Sequence, residues 1–285
     1  MEEPCSPADG GTGNALALHF HITATLILIK GPAEWSAIGQ LKEMAIKTSM
    51  RHRGEGGGQG QRYLMLDCIR GLAVCLMIVF HLIFDLHHFR FIQVGFMAHP
   101  YWIDFARFIV FLFLLCVGMA LPVVHRNGIH WGQVGRRFAK LGACAVAITI
   151  VTYILYPRNF IFFGALHCIA VSSVAGVFFV GRPRLALGLF FLLVIPDIIF
   201  QPTLMPLSKW LNVVPADYVP FYPWVGVVLL GIYLESIGFN RIPLARNLLT
   251  RPVAALGRHS LVIYLLHQPI LFGTFLLIYH FKSIS

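Results

Sequence analysis

The sequence predicts an all-α fold, a polytopic membrane helix bundle of about seven transmembrane helices with a cytoplasmic N-terminus and an external C-terminus. Three observations predict it. The 285 residues are 58% hydrophobic and only 12% charged, with a mean hydropathy of +0.75, whereas soluble domains carry about 25% charged residues. Apolar runs of the length a helix needs to cross a hydrocarbon core, about 20 residues, recur over most of the chain. Lys and Arg gather in alternate connections between those runs, and such an excess marks the cytoplasmic side.

Residues 1–62 stand apart from this pattern. Their best apolar stretch, ITATLILI, is too short to span, and the acidic opening MEEPCSPADGG argues against a secretory signal peptide. RHRGEGGGQGQR (51–62) reads as a basic, Gly-rich flexible linker. Met50 directly precedes it and is the expected true start, which makes the first 49 residues a mis-assigned extension or a disordered tail. The membrane domain is then 63–285.

Spans are expected at about 64–84, 102–121, 138–156, 160–180, 185–200, 219–237 and 260–280, with Pro196 and Asp197 interrupting the end of the fifth. Arg51, Arg53 and Arg62 fall before the first. Arg126, Arg136, Arg137 and Lys140 lie between the second and third, Arg182 and Arg184 between the fourth and fifth, and Arg241, Arg246, Arg251 and Arg258 between the last two. The intervening connections hold only Arg90, Arg158, Lys209 and the terminal Lys282, with Arg107 just inside the second span. Basic residues dispersed in this way read as topology signal and not as a nucleic-acid patch. The six cysteines show no metal-ligand spacing, and five lie in apolar spans, where Cys acts as a small hydrophobe; no metal is expected.

The first span carries an unusual polar load. Asp67, Arg70, Val74, Met77, His81, Asp85 and His88 step by three or four residues and form one stripe. Ionisable groups in a membrane face the bundle interior or a watery cavity, because lipid exposure costs several kcal/mol. The Asp67–Arg70 pair reads as architecture. His81 and Asp85, at i and i+4, are spaced for a carboxylate to orient an imidazole that takes a proton; interfacial histidines are the plain alternative.

The first outer loop, FMAHPYWIDFAR, adds His99, Tyr101, Trp102, Asp104 and Arg107, where Tyr and Trp are also ordinary belt residues. Further candidates for a shared polar cavity are His167 in the fourth span, Tyr222 and Trp224 at the mouth of the sixth (beside Asp217 and Tyr218), and His267 in the last, followed by the helix-kinking Pro269. On the inner side Arg136, Arg137, Lys140 and Arg258 gather with His259. They read either as pure topology charge or as a funnel for an anionic cytosolic co-substrate. No GxSxG, HExxH or Walker motif is present.

These pieces, in this order, resemble the heparan-α-glucosaminide N-acetyltransferase catalytic-domain family in its short prokaryotic form, over about residues 62–280. RYLMLDCIRGLAVCLMIVFH is the most specific element; Gly118 closing FLFLLCVG, FGALHCIA, YPWVGVVLLG and LGRHSLVIYLLHQPI support it. The last is similar to other membrane acyltransferases as well. The resemblance implies transfer of an acetyl group from cytosolic acetyl-CoA, a co-substrate and not a tightly bound cofactor, to an amino sugar, glycan or glycolipid across the membrane. It also implies an active-site histidine in the loop after the first family helix, which His99 matches. Lysosomal members carry Asn where this chain has His81, so His81 can share or take over the role of base. Asp85 or Asp104 would orient that base, and Arg136, Arg137, Lys140 and Arg258 would bind the CoA phosphates. This chain is much shorter than the lysosomal enzymes, so heparan itself is not the expected acceptor. A bacterial inner (plasma) membrane is the expected location, with membrane lipids as surroundings, no nucleic-acid partner, and a homo-oligomer allowed.

Three other classes compete. A haem-binding electron carrier would use His81, His167 and His267 as ligands. A transporter or flippase would use the polar stripe as a path. A silent membrane scaffold would use neither.

Overall fold

The computed structural model describes residues 64–94, 99–200 and 217–284, all within the compact unit Gly60–Ser285. The expectations for residues 1–62, including Met50, lie outside the described residues. Among those described are eight α-helices and no strand: α1 Leu64–His88, α2 Pro100–Val124, α3 Trp131–Leu155, α4 Ala165–Val177, α5 Pro183–Phe200, α6 Phe221–Ser236, α7 Thr250–Arg258 and α8 Ser260–Ile284. Four of them, α1, α2, α3 and α8, are long and apolar enough to cross a membrane, while α4 and α6 are shorter apolar helices of 13 and 16 residues.

Side-chain contacts give the helix directions. Phe80 meets Trp102 and Phe105, and the Cys116 thiol approaches the Leu66 carbonyl, so α2 runs antiparallel to α1. Trp131 meets Phe178 while Thr149 meets His167, so α3 and α4 are antiparallel. By contrast Asp67 pairs with Arg258, His81 with His267, and Phe89 with Phe272 and Tyr279, so α1 and α8 run parallel. The end where α1 and α8 begin is the basic end of the bundle, and the opposite one is the histidine end.

Backbone proximity holds the bundle. A Cβ on Gly118 of α2 would overlap the Val228 carbonyl of α6 and lie 2.9 Å from the Gly231 Cα. One on Gly231 would lie 2.5 Å from the Leu115 carbonyl oxygen. The same device joins α1 to α7: a Cβ on Gly71 would overlap the Val253 carbonyl, and one on Gly257 the Asp67 carbonyl. In lipid, helices gain little from hydrophobic burial, so small residues that let backbones close up supply the packing energy. Leu114, Met119, Leu121, Val228, Leu229 and Ile232 fill the resulting core and are almost fully buried.

Three boundaries differ from the expected ones. α3 begins at Trp131, seven residues before the expected 138, which puts Arg136, Arg137 and Lys140 on a helix instead of in a loop. α4 covers Ala165–Val177 and not 160–180, because side chains hold the preceding segment extended. There the Thr149 hydroxyl donates to the Ile161 carbonyl (2.7 Å), the Ile161 N–H donates to Thr152 Oγ1 (3.1 Å), and Phe163 bridges to Tyr218. The connection before α8 forms α7, a short amphipathic helix whose Ala254 and Gly257 are buried.

Gly118→Leu should overpack the α2–α6 crossing and cost about 3 kcal/mol or more, the upper range for added core volume. The readout is loss of the monodisperse peak and a lowered thermal midpoint in detergent. Gly142→Leu, a helical glycine with open space around its Cβ position, should leave both unchanged.

Candidate functional site

The bundle interior has two polar regions, one above the other along α1 and α8. At the basic end a cavity of about 400 Å³ opens between α1, α2, α3, α4 and α8. Its mouth carries Asp67, Arg70 and Arg137; its deeper wall is apolar, with Phe113, Leu166, Ile169 and the ring of Tyr264. Asp67 sits between two guanidiniums, 3.6 Å from Arg70 and 3.6 Å from Arg258. Arg137 is half-buried, lines the cavity, and has no ion-pair partner among the described residues. A desolvated guanidinium without a counterion, beside a second arginine, is suited to an anionic ligand group. His125, just past α2, is held below the usual histidine range by burial and by the charges of Arg137 and His130. Arg136 and Lys140, expected to share the anion site, are exposed and absent from the cavity wall, because the helical turn carries only Arg137 inward. Arg258 pairs with Asp67 as Arg70 does, but unlike Arg70 it is absent from the cavity wall.

About one turn beyond the cavity lining on α8 and about three turns beyond it on α1, the two helices bring two histidines together. The His81 and His267 rings meet edge to face with centroids 4.6 Å apart. His81 Nδ1 donates to the Met77 carbonyl (2.9 Å) and His267 Nδ1 to the Tyr264 carbonyl (2.7 Å). Carbonyls only accept, so each neutral ring carries its proton on Nδ1 and presents Nε2 as a lone pair. His267 Nε2 is buried without a partner among the described residues. Asp85 is fully buried, but its hydrogen bond comes from Gln268 Nε2 of α8 (3.0 Å) and not from His81. The i, i+4 spacing does place the two on one face; the backbone carbonyl one turn back reaches the imidazole first.

The other candidates are separate. His99 lies exposed at the start of α2, stacked on Tyr101 with centroids 5.2 Å apart, and Asp104 is exposed and paired with Arg107 at 3.4 Å. A run of ring contacts, Tyr101 to Trp102, Trp102 to Phe80, Phe80 to His81, connects His99 with the buried pair. His167 instead has a local role. Its Nδ1 accepts the Gly164 N–H (3.3 Å) and its Nε2 bonds Thr149 Oγ1 (3.3 Å), which clips α3 to the start of α4. Asp217 completes that joint by accepting the Ala165 N–H at 3.2 Å. Burial pushes the Asp217 carboxyl above the usual carboxylate range, while the Ala165 N–H pulls it the other way. Tyr222 is half-buried in an extended conformation at the first turn of α6, and Trp224 packs on the core.

Sequence reasoning missed Gln268 and Tyr264. Gln268 adjoins His267, and Tyr264 lies three residues before it, within reach of the same helix face.

Apolar spans around a polar interior with a ligand-sized cavity define an integral membrane protein of the polytopic helical class. Residues 62–269 match the family described as heparan-alpha-glucosaminide N-acetyltransferase, catalytic, most of the chain and slightly less than the expected 62–280. The chain belongs to that family of membrane acetyltransferases. No curated protein and no solved structure matches it.

Asp217→Ala should remove the cap of α4 and cost about 1 kcal/mol. A lower thermal midpoint in detergent would register the loss, and Asp217→Asn, which keeps an acceptor, should recover most of it.

Proposed function

We propose that this protein moves an acetyl group from cytosolic acetyl-CoA to an amino sugar, glycan or glycolipid at the outer face of a bacterial inner membrane. The observation that carries the reading is the half-buried Arg137, with no ion-pair partner among the described residues, beside Arg70 at the mouth of an apolar cavity that leads toward the His81–His267 pair. In this reading α1 to α6 and α8 make seven crossings, supported by the alternate helix directions and the parallel α1 and α8, which call for an odd number. The basic end is cytoplasmic, because the Arg-rich connections lie there. Residues 63–285 form the acyltransferase domain and 1–62 an extension before it.

Arg137 and Arg70 hold phosphate oxygens of the donor, and the thioester lies in the apolar part of the cavity. Arg258 anchors Asp67, while Arg136 and Lys140 add long-range attraction from the exposed face. His81 Nε2 takes the proton as the acceptor nitrogen or hydroxyl attacks the thioester carbonyl. The carbon–sulfur bond then breaks, and CoA leaves as a thiolate that is reprotonated. His99, the residue that the family resemblance marks, receives the acceptor at the outer rim or acts as the base itself, with Asp104 and Arg107 shaping the rim. Asp85 holds α8 against α1 through Gln268, which keeps His267 beside His81. Acetyl-CoA comes and goes as a co-substrate, and lipids surround the bundle. A haem shared by His81 and His267 is disfavoured, because the two rings already touch.

With labelled acetyl-CoA and a panel of amino sugars and membrane glycolipids, Arg137→Gln should raise the KM for acetyl-CoA about tenfold and change kcat little. His81→Ala should lower kcat by about 100-fold. Full transfer by the His81/His99 double variant would sink the mechanism, and substrate flux in proteoliposomes without CoA consumption would favour a transporter.

A further inference from the structure

Cavity depth can be followed along its walls. On α2 the lining runs from Val124 at the mouth down to Phe113, about 16 Å by the helical rise. On α8 it begins at Ser260 and Leu261 and ends one turn deeper at Tyr264. The Tyr264 and Phe113 rings meet edge to face with centroids 6.3 Å apart, which closes the deep side between α2 and α8. Beyond that closure lie the imidazoles: the His267 ring is 5.8 Å from the Tyr264 ring, and His81 follows at 4.6 Å. The phenol ring therefore bounds the donor space on the α8 side, next to His267.

We propose that Tyr264 is the floor of the donor cavity and limits the acyl group to a short one. The inference rests on the reading of this cavity as the acyl-CoA site. An acetyl group adds one methyl beyond the thioester carbonyl, and each further methylene would have to enter the volume that the phenol ring occupies. Close-packed interiors resist such insertion. Two features make the ring separable from the rest of the site. His267 is hydrogen-bonded to the backbone carbonyl of Tyr264, so a change of the side chain leaves that bond in place. The hydroxyl has no hydrogen-bond partner among the described residues, so truncation orphans no buried donor or acceptor.

The test compares acetyl-, butyryl- and octanoyl-CoA with wild-type protein, Tyr264→Ala and Tyr264→Phe, by thermal protection in detergent and by acyl transfer. Wild type and Tyr264→Phe should favour acetyl-CoA. Tyr264→Ala should shift the octanoyl-to-acetyl ratio by about tenfold or more, the scale on which a hydrophobic pocket discriminates chain length. If Tyr264→Ala does not yield folded protein, Tyr264→Leu should show the same shift toward butyryl-CoA. A folded small-residue variant with the wild-type profile overturns the floor alone, as does a wild type that takes octanoyl as readily as acetyl. Wild-type protein protected by no acyl-CoA of any length overturns the donor reading and the floor with it.

Discussion

Helices α2 and α6 touch backbone to backbone at Gly118 and Gly231, and the spacing of the interior follows from that contact. In hydrocarbon there is no gain from hiding Leu from lipid, so helix association relies on close packing and on polar groups that find partners inside. The glycine crossing draws α2 and α6 together and sets Gly176 of α4 against Leu121 and Val228. At the basic end the α1–α7 contact, through Gly71 and Gly257, places Arg258 next to Asp67 and starts α8 alongside α1. Without these two close approaches the cavity walls and the histidine pair would have no common frame.

The polar stripe on α1 then divides its work by depth. Near the basic end Asp67 offsets two of the guanidiniums, Arg70 and Arg258, and Arg137 is left to face the cavity. Farther along, the stripe meets α8, where imidazole faces imidazole and Asp85 meets Gln268. An apolar stretch containing Val74, Met77, Phe113 and Tyr264 separates the two levels. In the proposed reaction a phosphate-bearing donor and a proton-transfer group need different surroundings, charged and wet for one, enclosed and of lower dielectric for the other. A bundle that separates them along its axis provides both.

Much of this was legible in the chain. The stripe from Asp67 to Asp85 was readable because helical period alone decides which residues share a face, and Val74, Met77 and Asp85 are indeed buried. The family was readable from RYLMLDCIRGLAVCLMIVFH and its companions, whose residues 62–269 carry the match. The spacing of His81 and Asp85 suggests a pair, yet each bonds elsewhere, His81 to its own helix and Asp85 to α8. Sequence position alone groups His167 with the cavity histidines, whereas its ring bonds Thr149 and Gly164 and clips α3 to α4, contacts that no sequence pattern marks.

By itself, the sequence determined the helical class, the apolar segments and the polar face of α1, because hydropathy and period are local properties of a chain. Only the tertiary structure decided that Arg137 and not Arg136 or Lys140 faces the cavity, that His267 and not Asp85 stands against His81, and that Tyr264 lies between the two levels. Those choices depend on how one helix is rotated against another. That rotation is set by backbone contact at a few glycines distant in sequence, which no local pattern encodes.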